Sequence, residues 1–368
     1  MIVLYDLYEI SLGKGKSIGI YNYALAVLKT LAIQSEDLKI IVICSGCNEN
    51  AINNIPNIQI IKLRQNFPDF RQRFIWRYFK AIPLAKRIGA DIYYSPKGFS
   101  PAIFKRKSKP FIVLTIHDMI PFYYKENYPN YFSSFENHAI TATLSHSAKV
   151  ANKIITISNY SKQMILNYVK TNSEIRIVYN GIEKKLKIDN KIETSPYIFA
   201  ITSMLPHKNR ENIINGYIEY TKIAENPLPL KICGITNDQL GLHNDSSYEI
   251  ECIAFADDAK FSVLFSNATI VLFLPFVEGF GFPPLEALMY GVPSVISDIS
   301  ILREIMGKSA FFVNPTNPKE IANGINSVLN NTNLKEQILY FGKETLSTYT
   351  WEKCCRQIIK VFEDTLSK

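Results

Sequence analysis

The stretch "FVEGFGFPPLEALMYG", residues 276–291, sets two glutamates, Glu278 and Glu286, around two glycines and two prolines. It continues an apolar run, 269–276, that suits a strand buried on both faces, so Glu278 falls at that strand's carboxyl end. Gly279 and Gly281 permit backbone angles that a side chain would oppose, and leave amides open to a ligand. Pro283 and Pro284 hold φ near helical values and suit a first turn, where no donor is needed. The pattern predicts a short helix over 285–290, with Gly291 as its stop and Pro293 barring continuation. A helix N-terminus carries unsatisfied amides and partial positive charge, which attract phosphate. Glu286, in the predicted first turn, could accept two hydrogen bonds from a cis-diol such as a ribose. Glu278 could accept from hydroxyls nearer a reacting group. The same residues also fit a plain Gly/Pro turn with one glutamate favouring the helix start and the other solvated.

Outward from this segment, strand-like runs alternate with helical stretches. "IVLYDLY", "IIVIC", "IQIIKL", "ADIYYS", "PFIVLTIHD" and "KIITIS" precede a polar stretch, "EKKLKIDNKIETSP" (183–196). Beyond it come "YIFAITS", "LKICGI", "IECIAF", "TIVLFLPF", "SVISD" and "AFFVN". Such alternation implies βα units and parallel sheets. A length of 368 residues favours two domains. The expected architecture is α/β, with two Rossmann-like domains in tandem. Ligands of open parallel sheets bind beyond the carboxyl ends of the strands, so functional residues belong in the loops just after them.

The composition, 47% hydrophobic and 20% charged, is that of a globular chain rather than a disordered or fibrous one. The N-terminus lacks a basic n-region and a small-residue cleavage site, and reads as a first strand. The longest apolar runs are about ten residues, short of the ~20 a membrane span needs. A cytoplasmic protein, or one peripheral to a membrane, is expected. Of six cysteines, Cys44 and Cys47 have redox spacing, but one such pair lacks the ligand count for structural zinc, and reduced thiols are expected.

The formal charge of +8 is uneven: residues 1–110 hold 17 Lys/Arg against 7 Asp/Glu. The densest part is "NFPDFRQRFIWRYFKAIPLAKRIG" (66–89), where basic residues alternate with aromatics. Phe70, Phe74 and Tyr78 would share a helical face, and Pro83 is expected to break the helix. The segment fits either a surface helix covering a core or contact with an anionic bilayer or lipid-diphosphate acceptor. No recognised nucleic-acid module accompanies the charge, so nucleic acid is not an expected partner.

"EGFGFPPLEALMYGVPSVISD" resembles the E-x7-E segment of glycosyltransferase family 4, retaining enzymes of the two-domain GT-B fold. The likeness continues in "SMLPHKNRENII" (203–214), "HDMIPFYYKENYP", "ITISNYSKQMI", "VYNGIE" and the C-terminal "YTWEKCCRQIIKVFEDTL"; it is weakest over 40–110. It implies an acceptor-side domain over 1–185 and a nucleotide-sugar domain over 186–345, facing a central cleft. A C-terminal helix over 346–368 would pack back towards the first domain. It also implies that Glu278 contacts the donor sugar, that the amides of Phe280, Gly281 and Phe282 hold sugar and phosphate oxygens, and that Glu286 binds the ribose. His117 matches the family histidine near the donor sugar, although a strand-end histidine bonded to backbone would look the same. Lys208 matches the lysine that neutralises the diphosphate as it leaves.

The chain departs from the family at two places. Ser203 stands where many relatives carry an arginine five residues before that lysine, and Pro275 where a small hydroxyl residue is common. The phosphate clamp then rests on Lys208, loop amides and helix N-termini, with Ser203 or His207 as candidate helpers. In "SLGKGKSIGIYNYALAVL" (11–28), Gly13, Gly15 and Gly19 do not follow dinucleotide spacing. By resemblance Gly19 is the loop glycine beside the diphosphate, with Lys14 and Lys16 adding positive potential.

The implied reaction moves a hexosyl unit from a nucleoside-diphosphate sugar to a lipid-diphosphate-linked oligosaccharide, with retention. It needs no enzymic nucleophile, no cofactor and, for want of an Asp-x-Asp pair, no essential metal. The "HDMIP" and "PHKN" forms resemble the branch holding many bacterial mannosyltransferases of O-antigen and other surface polysaccharides. That implies GDP-mannose, with UDP-hexoses and other GDP-sugars as alternatives. An NDP-sugar epimerase on the same fold and a non-enzymatic anionic-surface binder are rivals. A glycoside hydrolase fits less well, because its carboxylates must flank a scissile bond.

Overall fold

The computed structural model describes residues 1–11, 18–34, 37–183, 195–240 and 248–367. The chain divides into two units, 1–181 with 350–368, and 182–349. The glycine-lysine run 12–17 and most of the polar stretch 183–196, singled out above, lie outside the described residues.

The first unit opens with β1 (Ile2–Asp6), α1 (Ile18–Gln34), β2 (Lys39–Ser45), α2 (Glu49–Ile52) and β3 (Ile58–Arg64). Then come α3 (Phe70–Ile75), a π-helical turn (Trp76–Lys80), α4 (Ala81–Arg87), β4 (Ile92–Ser95) and β5 (Phe111–Ile116). It continues through α5 (Ile120–Asn127), α6 (Ser134–Val150), β6 (Lys153–Thr156), α7 (Asn159–Tyr168) and β7 (Glu174–Ile177). The seven strands lie in the order β3-β2-β1-β4-β5-β6-β7, and every pairing is parallel. The topological switch point therefore falls between β1 and β4.

The second unit comprises β8 (Ile198–Ile201), α8 (Arg210–Ile223), β9 (Leu230–Cys233), β10 (Ile250–Ile253), α9 (Asp258–Ser266) and β11 (Ile270–Phe273). It is completed by α10 (Phe282–Met289), β12 (Ser294–Ser297), α11 (Ser300–Met306), β13 (Phe311–Val313), α12 (Pro318–Asn330) and α13 (Thr332–Thr348). Its order is β10-β9-β8-β11-β12-β13, all parallel, with the switch point between β8 and β11. The chain then re-enters the first unit as α14 (Trp351–Leu366). A Cβ on Gly181 would collide with the backbone of Thr350 and Trp351, so the strands of chain leaving and re-entering this unit touch at a glycine.

Each sheet is covered on both faces, as parallel sheets require. In the first unit α1 and α14 share one face: Tyr5 donates to the Ala24 carbonyl at 2.7 Å, and Tyr94 meets Phe362 edge-on at 5.3 Å. On the other face Trp76, Ala81 and Ala85 pack with Leu4 and Tyr93, and Ala148 and Ile165 with Ile112, Leu114 and Ile154. In the second unit Phe199 and Val271 pack with Phe265 of α9 and Ala287 of α10.

Two local expectations are corrected. Pro83 does not break its helix: it occupies the first turn of α4, where no N–H is needed, and the π-helical turn before it absorbs the change in register. The strand β7 was not anticipated, because "EIRI" is short and half polar. Its charges are paired: Arg176 with Glu174 within the strand at 2.5 Å and with Asp364 of α14 at 3.4 Å, while buried Lys153 lies 3.5 Å from Glu174. The six cysteines are free, Cys44 buried and Cys47 exposed.

Candidate functional site

In the second unit the loops after β8 and β11 meet at the switch point. Asn209 adopts a left-handed conformation, φ 56°, which asparagine tolerates better than most residues. Its Nδ2 donates to the carbonyls of Leu274 and Pro315, both at 2.8 Å, so one buried amide ties three strand-end loops together. The Phe276 amide donates to the His207 carbonyl at 2.8 Å, and Thr202 Oγ1 to the Lys208 carbonyl at 2.9 Å. These bonds hold Lys208 against Glu278, and Lys208 Nζ forms an ion pair with Glu278 Oε1. The glutamate side chain is only 12% exposed, so its charge is held in place by the lysine rather than by bulk water.

Gly281 caps α10 with φ 88° and ψ 67°. The helix starts at Phe282, one turn earlier than expected, because Pro283 and Pro284 themselves adopt helical φ and build its first turn. Glu286 therefore sits in the second turn, not the first, and is half-buried. Prolines at the second and third helical positions remove two of the four orphan donors of a helix start. The amides left at this end are those of Gly281, Phe282 and the loop before them, the set the resemblance had assigned to sugar and phosphate oxygens. Phe280 is buried, and its ring packs against Phe282 at 5.2 Å and Tyr349 at 5.5 Å. That anchors the loop and leaves its backbone as the part that can meet a ligand. At the far end Gly291 donates to Leu288 and Val292 to Ala287, a Schellman closure with φ 71° at Gly291.

His207 adds no positive charge beside Lys208 here. Burial, followed by the neighbouring Lys208 charge, lowers its pKa to about 3, so it is neutral at physiological pH. Ser203 Oγ accepts the Leu205 amide at 3.3 Å and closes the turn.

In the first unit His117 follows β5 and is buried. Its Nε2 lies 2.8 Å from the Pro96 carbonyl, which can only accept, so Nε2 carries the proton. Burial lowers its pKa to about 4, with the Pro96 bond opposing. The ring is thus neutral and Nδ1 is the acceptor nitrogen. Tyr23 meets it edge-on at 4.6 Å, and Ser161 donates to its carbonyl at 2.8 Å. Backbone bonding and availability of one ring nitrogen coexist here. Gly19 is the second residue of α1, and a Cβ there would meet nothing within 4 Å.

Sequence reasoning missed Asn209 and a charged cluster at the carboxyl ends of β1 and β4. There Asp6 accepts from Tyr93, from Trp76 Nε1 at 2.9 Å and from the Tyr8 amide at 2.8 Å. Glu9 binds Arg77 through two hydrogen bonds, and Lys97 donates to the Glu9 carbonyl at 2.9 Å. Burial raises the Asp6 carboxyl to about 6 and lowers Lys97 to about 8. Part of the signal was available: Asp6 ends the first strand, just before a loop of the kind expected to carry functional residues.

The two histidines make a pH prediction. Each has a folded pKa below the unfolded value near 6.5, so the unfolded chain takes up the proton first. Their contribution is intact above pH 6.5 and is lost as pH falls, for His117 down to about 4, at a cost on the order of 3 kcal/mol. Asp6 opposes this between pH 6 and its ordinary value, because its folded pKa is raised. His117→Gln should flatten the decline of denaturant stability between pH 6.5 and 4; an unchanged slope would contradict a buried neutral His117.

Two parallel-sheet α/β domains with a strand-end site at the switch point of the second define the GT-B class. The Glycosyltransferase Family 4 model matches residues 19–186 and the Glycosyl transferases group 1 model matches 181–345. The chain belongs to glycosyltransferase family 4. It is similar to the O-antigen chain mannosyltransferase RfbU of Salmonella typhimurium, 28% identical over 58% of this chain and 60% of that protein, under two thirds of its length. It is also similar to O-antigen chain mannosyltransferase B of Escherichia coli, 24% identical over 74% of each chain. Among solved structures, HepE of Anabaena, crystallised with UDP-glucose, superposes with a TM-score of 0.70 at 15% identity, covering 99% of this chain and 100% of that one.

Proposed function

We propose that the chain transfers mannose from GDP-mannose, with retention, to a lipid-diphosphate-linked oligosaccharide in assembly of a bacterial surface polysaccharide. The observation that carries the reading is the Lys208–Glu278 pair at the carboxyl ends of β8 and β11, beside a helix start stripped of all but a few amides. The names of the similar mannosyltransferases support the sugar.

In this reading Glu278 accepts hydroxyls of the donor hexose and Glu286 the ribose diol. Lys208 and the amides around Gly281 take the diphosphate. The bond from the anomeric carbon to the diphosphate oxygen breaks as the acceptor oxygen bonds on the same face. The acceptor proton passes to a diphosphate oxygen, so no protein nucleophile is needed. Lys208 gains a stronger partner as negative charge builds on the leaving group, which is stabilisation of the transition state over the ground state. His117 Nδ1, unprotonated and fixed by Pro96, accepts from a sugar hydroxyl. The reading invokes no metal. It places the enzyme at the inner face of the cytoplasmic membrane, where such an acceptor is found.

Thermal stability in a panel of nucleotide sugars tests the donor. GDP-mannose at 100 times its Kd should stabilise the chain by about 2.7 kcal/mol, with UDP-glucose inert at the same concentration. Stabilisation by UDP-glucose alone would replace the donor while leaving the family intact.

A further inference from the structure

The segment 66–89 presents two different faces. Inward, Trp76 donates to Asp6 at 2.9 Å and Arg77 binds Glu9, so the helical run is bonded directly to the end of β1. Outward, Phe70, Phe74, Ile75 and Phe79 are 65%, 49%, 43% and 64% exposed, four large apolar side chains within ten residues. Phe74 packs on Tyr78 at 4.9 Å and on Phe79 at 6.2 Å, so these rings gather on one another outside the core. Beside them lies an open cavity of about 480 Å³ whose lining includes Tyr8, Leu63, Trp76, Phe79, Lys80 and Arg87.

Charge decides what such a face would meet. Arg71, Lys80, Lys86 and Arg87 are exposed on the same run. Asp69, the only acid in 66–89, is occupied as the N-cap of α3, accepting the Gln72 amide at 2.8 Å. A second tip has the same chemistry: Ile103 and Phe104, 52% and 80% exposed, precede Lys105, Arg106 and Lys107. Ala102 before them and Ile82 of α4 pack into one core cluster, so both tips stand over the same face of the first sheet. Among the described residues no helix is long and apolar enough to cross a membrane. Exposed aromatics ringed by cations are suited to the interface of a bilayer with anionic headgroups, with the rings in the acyl boundary and the cations at the phosphates.

We infer that the outer face of α3, the π-helical turn and α4 docks on an anionic phospholipid bilayer, with the cavity beside Phe79 open to its apolar layer. This rests on the reading of the acceptor as membrane-borne, and it assigns that encounter to a particular surface. The π-helical turn serves the division of faces: it lets Trp76 and Arg77 point to the sheet while Phe74 and Phe79 stay outside. The bonds to Asp6 and Glu9 then fix the docked face relative to the carboxyl end of β1.

Co-sedimentation of the full chain with phosphatidylglycerol vesicles, and with phosphatidylcholine vesicles as control, tests it. Binding should favour phosphatidylglycerol at least tenfold and weaken as salt rises. Phe74→Ser with Phe79→Ser, and separately Lys80→Glu with Arg87→Glu, should each weaken binding at least tenfold. Thermal stabilisation by nucleotide sugar should stay as in wild type, which also shows that the variants fold. Equal binding to both lipids, no vesicle binding by wild type, or full binding by both variants would overturn the inference. So would a concentration-dependent dimer abolished by the phenylalanine variant, which would make the face a contact between copies. None of these outcomes touches the donor test, so the two readings fail separately.

Discussion

Glu278→Gln is expected to reduce sugar transfer by roughly 100- to 1,000-fold, the scale seen when one electrostatic contact to a transition state is removed. The substitution keeps the shape of the side chain and removes its charge. Lys208 then loses the carboxylate that holds it, and the hexose loses an ionised acceptor. Because Lys208 is 24% exposed, water can replace part of the pair, and folding stability should drop by only on the order of 2 kcal/mol. Lys208→Met should cost a similar factor through the leaving group. The double variant should be no worse than about tenfold below either single one, since the two groups act as a unit. Steady-state rates with donor and acceptor, paired with denaturant melts, separate chemistry from folding. Transfer by Glu278→Gln within threefold of wild type would remove Glu278 from the site.

Gly281→Val should unseat the donor loop. The residue sits at φ 88°, where a β-branched side chain is strained, and its Cβ would come within 2.5 Å of Leu302 Cδ2. Backbone strain and overpacking together cost on the order of 3 kcal/mol, or about 6–12 °C in Tm for a domain of this size. Nucleotide-sugar affinity should fall more than tenfold, because Gly281 and Phe282 carry the amides at the start of α10. Gly291→Ala is the control. It also has positive φ, 71°, but nothing lies within 4 Å of its Cβ, so it should cost only about 1 kcal/mol and spare donor binding. Equal effects from the two variants would show that strain, not the Leu302 contact, sets the loop.

Much of the architecture was legible in the chain. Among the described residues, twelve of thirteen strands coincide with runs such as "FIVLTI" and "IVLF"; the central ones are clearest, because strands buried on both faces must be apolar almost throughout. β7 escaped for the complementary reason: it is a short edge strand whose Glu174 and Arg176 are satisfied by ion pairs, and such pairing leaves no periodic trace. The helix after Gly281 was foreseen, but its start was set three residues late. Pro283 and Pro284 suit a first turn, as the sequence indicates, and that turn is itself part of the helix. Pro83 likewise lies in a first turn.

Local sequence by itself determined the alternation of strand and helix, the strand-end position of Glu278, and the glycine–proline geometry of the loop that follows it. These depend on hydrophobic period and on backbone angles that one or two residues impose. Tertiary structure alone decided that Lys208, seventy positions earlier, pairs with Glu278. It decided that His207 and His117 are neutral, and that Asp6 and Glu9 hold the basic aromatic run by its inner face. Pairing and burial arise from strand order, which sets which loops meet, and an electrostatic environment exists only once the low-dielectric walls around a charge are in place.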